Sequence, residues 1–142
     1  MMGDESKKLT FVEEEDVETQ VFDWGRLSWL SEPRVTAAGR FSAGVVTLEP
    51  GKGHDRHNHP GVEEILYILE GRGRQVVQGP GTAVEREVGP GVLVHIPPDV
   101  YHSTINIGDG PLRIMAVYSP PGPESELREM EGVRIEPPKR HR

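Results

Sequence analysis

The chain of 142 residues contains no cysteine, so disulfides, thiolate nucleophiles and thiolate metal ligands are excluded. No apolar run approaches the roughly 18 residues that a membrane-spanning helix needs, and a membrane is not an expected partner. The opening segment MMGDESKK lacks the apolar core of a signal peptide, so the expected location is the cytoplasm. Aromatic residues are few, at 6%. There is no basic patch: 16 Lys and Arg stand against 23 Asp and Glu, a formal net charge of −7. That balance argues against nucleic acid as a partner. The basic end KRHR (139–142) is too short to change this and reads as a solvated terminus.

What the chain does have is turn residues, with 17 Gly and 13 Pro. Many short strands joined by turns produce that composition, and long helices do not. The length suits one domain with a proper core. Residues 1–20 read as an acidic lead, disordered over 1–8, with an edge strand at 9–12. Residues 21–120 read as a β barrel. Residues 121–142 read as a Pro-rich, irregular tail carrying one short helix, Glu124 to Gly132. Within the barrel, strand-like runs include Phe41 to Gly51, Ile65 to Leu69, Gln75 to Val77 and Thr82 to Val88. The run Ile65–Leu69 is apolar at both parities, which predicts cover on both sides, by the barrel interior and by a second sheet or subunit. Both tryptophans, Trp24 and Trp29, lie in Val21–Leu30 and are expected to cap the core, with a pocket wall as the alternative.

The most informative stretch is GKGHDRHNHPGVEEILYILEG, Gly51 to Gly71. His57 and His59 stand at i, i+2, which on an extended strand places both on one face. Glu63 and Glu64 follow, and His102 offers a third imidazole from PPDVYHSTIN. Imidazole with carboxylate suits a divalent transition metal such as Fe, Mn, Ni, Zn, Cu or Co. Strand alternation from His59 favours Glu63, but Pro60-Gly61 interrupts the strand and leaves the choice of carboxylate open.

The spacings carry a resemblance. Gly51, His57, His59, Glu64 and Gly71 match the first motif of the cupin family, and Gly91, Pro97, His102 and Asn106 match its second. Asp99 stands where the second motif has Gly, a minor departure because Asp tolerates positive φ. The chain thus resembles a small single-domain cupin, an all-β double-stranded β-helix or jelly-roll barrel. The resemblance implies one metal inside the barrel on His57, His59, Glu64 and His102, with the spacing to Gly71 choosing Glu64. It also implies a homodimer.

Around that site, Tyr101, Met115 and His54 are candidate pocket residues, joined by Arg113 and Tyr118. His54 sits at opposite strand parity to His57 and reads as a loop residue, with an acid/base role beside the metal as the alternative. Arg113 could pair with an anionic substrate. Three functions compete. A metal-dependent enzyme on a small oxygenated substrate is the leading one, dioxygenase-like ahead of isomerase, decarboxylase or lyase. A binding or sensing domain for a small ligand is the second, and a structural or storage role without metal is the third.

Overall fold

A computed structural model describes residues 7–79 and 81–140. It contains eleven strands: β1 (Thr19–Val21), β2 (Arg26–Ser31), β3 (Ser42–Leu48), β4 (Gly53–His57), β5 (Glu63–Glu70), β6 (Gly73–Gly79), β7 (Thr82–Val88), β8 (Leu93–Ile96), β9 (Tyr101–Asn106), β10 (Leu112–Ser119) and β11 (Arg134–Glu136). One helix, α1 (Pro123–Arg128), follows β10. The strands form two antiparallel sheets, a large one ordered β11-β1-β2-β3-β10-β5-β8 and a small one ordered β4-β9-β6-β7. This is the expected jelly-roll barrel. Among the described residues no helix is long and apolar enough to cross a membrane.

The large sheet presents Leu27, Trp29, Leu48, Leu66, Ile68, Leu112, Ile114 and Ala116 to the interior, all buried. Alternation along β5 is clear in burial although it is hidden in the sequence. Glu64, Leu66 and Ile68 are buried, while Tyr67 and Leu69 stay 43% and 42% exposed. Within one chain, then, the outer side of β5 has no second sheet over it.

Two buried amides fasten the ends of the barrel. Asn106 donates from Nδ2 to the carbonyls of Leu48 and Gly110, each at 2.8 Å, and its Oδ1 accepts from Gly108 N–H at 2.8 Å. Gln20 is fully buried; its Oε1 accepts from Trp29 Nε1 at 2.9 Å and its Nε2 donates to Glu124 O at 3.1 Å. Gln20 therefore joins β1, β2 and the start of α1. Arg128 completes the attachment, reaching Glu18 at 2.9 Å and Glu32 at 2.7 Å. The Glu32 carboxylate is buried, which raises its pKa even though Arg128 acts in the opposite sense. These ties hold α1 over one mouth of the barrel with Leu127 turned inward.

Several terminal expectations change. Residues 9–12 form no strand; a 3-10 turn at Glu14–Asp16 leads into β1, and the edge role falls to β11. The helix is shorter than Glu124–Gly132, ending at Arg128. The tail is not irregular throughout, because Arg134–Glu136 pairs with β1. Nor is its basic end free, since Arg140 reaches Glu15 at 2.7 Å and Asp16 at 3.0 Å. The disorder expected at 1–6 and the last two residues of KRHR lie outside the described residues.

Candidate metal centre

The small sheet supplies three of the site's side chains through one irregularity. β4 pairs with β9 as His54↔Thr104 and His57↔His102, so three steps on β4 match two on β9. The extra residue is a β-bulge, and it returns His54 and His57 to the same inward side. The strand parity argument for His54 fails for this reason. His54 stacks on His57 at 3.6 Å between ring centroids and on Trp24 at 4.0 Å. At the same place β4 and β9 run so close that a Cβ on Gly53 would lie 2.2 Å from Thr104 O, a contact only glycine avoids.

β4 ends at His57, and His59 sits just beyond it, in a turn where Val62 N–H donates to His59 O at 3.1 Å. Glu64 comes from β5, whose alternation turns Glu64 inward and Glu63 outward. Glu63 instead meets the exposed His95 at 2.5 Å. The structure brings His57, His59, Glu64 and His102 together. The three imidazoles offer ligand atoms all within 4.8 Å of one another, positioned to hold a metal ion. Glu64 Oε1 lies 3.2 Å from His102 Nε2 and 3.8 Å from His59 Nε2.

Tautomers follow from the backbone. A carbonyl only accepts, so His57 Nδ1–H donates to Asp55 O at 2.7 Å and His102 Nδ1–H to Val100 O at 3.0 Å. The Nε2 lone pairs are thereby turned to the interior, the usual preparation of a metal-binding imidazole. His59 Nε2, Glu64 Oε1 and His102 Nε2 are all buried without a hydrogen-bond partner. The residues present fit a divalent cation, since none of these atoms has a partner in hydrogen-bond geometry and the Glu64 carboxylate faces two imidazole nitrogens, His102 Nε2 at 3.2 Å and His59 Nε2 at 3.8 Å.

Electrostatics favour neutral imidazoles at His54, His57 and His59, and the opposite at His102 beside Glu64. Burial, then the neighbouring imidazoles, push His54 down to about 3. Burial, then His102, bring His57 down to about 4. His59 is lowered by burial against the opposing pull of Glu64. At His102 burial is outweighed by Glu64, and the pKa rises. Burial, with Glu64 beside it, raises Tyr118 well above the ordinary phenol value and keeps its hydroxyl protonated.

Above the imidazoles is a cavity of about 40 Å³, walled by Trp24, Leu48, Leu66, Thr104, Ile114, Tyr118 and Leu127 among others. The two tryptophans divide: Trp29 is core, and Trp24 is wall. Of the candidate pocket residues, His54 lines this cavity. Tyr101 does not; it alternates with inward His102, is 39% exposed, and carries the Arg56 guanidinium 4.0 Å over its ring. Met115 also faces away, opposite Val45 and Tyr67 on the outer side of the large sheet. Arg113 shares that outer side and pairs with Glu14. A larger concavity, about 210 Å³, lies among Glu14, Val45 and Glu136 and contains no imidazole.

Asp99 does more than tolerate its φ of 71°. Its Oδ1 accepts from Gly61 N–H at 2.8 Å, and its carbonyl accepts from Asn58 Nδ2 at 3.1 Å. The residue that departs from the motif thus anchors both ends of the turn that carries His59. Strand spacing gave no hint of this link, nor of the Trp24–His54 stack.

A cupin domain family model matches residues 44–118. The glucose-6-phosphate isomerase of Thermococcus kodakarensis is 40% identical over 68 residues, covering 47% of this chain and 35% of that enzyme. The polyketide synthase CurC of Streptomyces cyaneus is 29% identical over 107 residues, 75% of this chain and 67% of CurC. The oxalate decarboxylase of Lactobacillus farciminis, in a formate complex, superposes with a TM-score of 0.70 at 28% identity, covering 75% of this chain and 32% of that one. The chain matches only about a third of the length of that isomerase and that decarboxylase.

Two outcomes follow from this geometry. His54, His57 and His59 bind protons more weakly folded than unfolded, so their contribution is fully present above pH 6.5 and is lost as pH falls toward 4 and 3. His102 works in the opposite sense and offsets part of this. The Tm of metal-free protein should therefore fall between pH 7 and pH 4, and His54→Phe, which keeps a stacking ring, should flatten the slope; an equal slope in the variant would contradict the assignment. Asp99→Gly keeps the turn but removes the acceptor. Exchange of the Gly61 amide should accelerate, and zinc affinity in a competitive titration should fall about tenfold, with Asp99→Asn nearer to wild type.

Proposed function

Since the chain belongs to the cupin family, whose model spans residues 44–118, we propose that it is a metal-dependent enzyme acting on a small oxygenated compound. One observation carries this reading: three buried lone pairs, on His59, Glu64 and His102, converge beside His57 without hydrogen-bond partners. Leaving such groups unpaired costs about 1–3 kcal/mol apiece, and a cation shared among them removes that penalty. Glu64 is the fourth ligand in this proposal, with the ion a divalent transition metal of the kind imidazole and carboxylate accept.

Bound there, the ion would supply Lewis-acid polarisation of an oxygen ligand. The remaining work falls to the chain. Leu127 and the aliphatic wall exclude water, Trp24 stacks on His54 and holds that ring in place, and the protonated Tyr118 hydroxyl can donate a hydrogen bond into the site. His54, held neutral down to about pH 3, is a weak base. Dioxygenase-like chemistry leads in this proposal, ahead of isomerisation or decarboxylation. A ligand-binding role is the second reading, and turnover separates the two.

We also propose that the protein is a homodimer whose partner covers the outer side of β5 and β8. Tyr67 and Leu93 are neighbours across those strands and are 43% and 53% exposed, with Leu69 beside them. β8 is the last strand of its sheet.

Protein purified without chelators should hold close to one equivalent of transition metal by elemental analysis. His59→Ala should lose most of it, together with oxygen uptake by the iron-loaded protein on a panel of small hydroxy and keto compounds. Turnover that survives complete metal removal would sink the enzyme reading. By light scattering the protein should run at twice its chain mass, and Tyr67→Glu should shift it to the monomer; a monomeric wild type would rule the interface out.

A further inference from the structure

The metal reading leaves open what the cavity accepts, and its wall has a chemical bias. Among the described residues that line it there is no Lys and no Arg. Three arginines on neighbouring elements are occupied elsewhere. Arg128 is held between Glu18 and Glu32, Arg113 pairs with Glu14 on the outer side, and Arg56 lies over Tyr101 and donates to Gln78 at 2.8 Å. The carboxylate of Glu126, on α1, is near enough to act on His59 and adds negative potential at the mouth.

Charge can then be counted. A divalent ion with one carboxylate ligand leaves a single positive charge in the site, since neutral imidazoles add none. One negative charge on the substrate cancels it. A second would be buried against Leu48, Leu66, Ile114 and Leu127 with no cation to meet it, and an uncompensated buried charge is strongly unfavourable. Size points the same way. A cavity of about 40 Å³ suits a compact molecule, and a phosphorylated sugar is too highly charged for it.

Resting on the metal reading above, we infer that this site selects a compact substrate carrying no more than one negative charge, such as a hydroxy- or keto-acid with a single carboxylate or an enolisable neutral compound. Dicarboxylates and sugar phosphates are excluded. The inference separates this chain from the substrates named for the isomerase and decarboxylase it resembles.

The test is a calorimetric titration of the zinc-loaded protein, with bound zinc quantified first. The probes are glycolate, acetohydroxamic acid, oxalate and glucose 6-phosphate, at fixed pH and ionic strength. Glycolate and acetohydroxamic acid should bind the loaded protein at least about tenfold more tightly than oxalate or glucose 6-phosphate, although oxalate is the better chelator of free zinc than glycolate. Oxalate or glucose 6-phosphate binding as tightly as glycolate would overturn the inference while leaving the metal site standing. Failure to take up zinc, or any other divalent transition metal, would overturn the metal reading and this inference with it.

Discussion

Three buried lone pairs aimed at one point are the constraint around which the barrel is arranged. Imidazole and carboxylate are costly to bury unpaired, and an apolar core of this size would be more stable without them. Their placement needs help from every side. The Asp55 and Val100 carbonyls fix ring orientation, a bulge in β4 aligns His54 with His57, and Asp99 holds the turn that carries His59. The result is a site prepared before any ligand arrives, with its cost spread over neighbouring backbone.

Much of this was readable from residue spacing and some was not. Gly and Pro punctuation marked β3, β5, β6 and β7 well, because turns between antiparallel strands demand those residues. Choosing Glu64 over Glu63 required the motif, since Pro60-Gly61 interrupts the alternation that would otherwise have decided it. The bulge left no trace: an inserted residue in β4 is visible only against its partner β9, and it reversed the expectation for His54. Tyr101 is a different case. It adjoins His102 on a strand, so alternation alone turns it outward, and that signal was available. Met115 could not be placed without knowing that it stands opposite Val45 and Tyr67.

The termini were hardest to read, again for a physical reason. Gln20 meets Glu124, Arg128 meets Glu18 and Glu32, and Arg140 meets Glu15. Each contact joins ends of the chain that periodicity treats separately. Polar segments that look solvated in isolation become ordered when their charges find each other, and the 3-10 turn, β1 and β11 form on that basis.

The four residues that converge on the site all lie within 44–118, the stretch matched by the family model. Trp24 and Leu127, which form part of the wall, lie outside it. The stretch matched by the family model therefore carries the holder and most of the wall, while Trp24 and Leu127 close it from flanking pieces that meet across the barrel mouth. A change at Trp24 or Leu127 would then reshape the mouth while leaving the four converging residues where they stand.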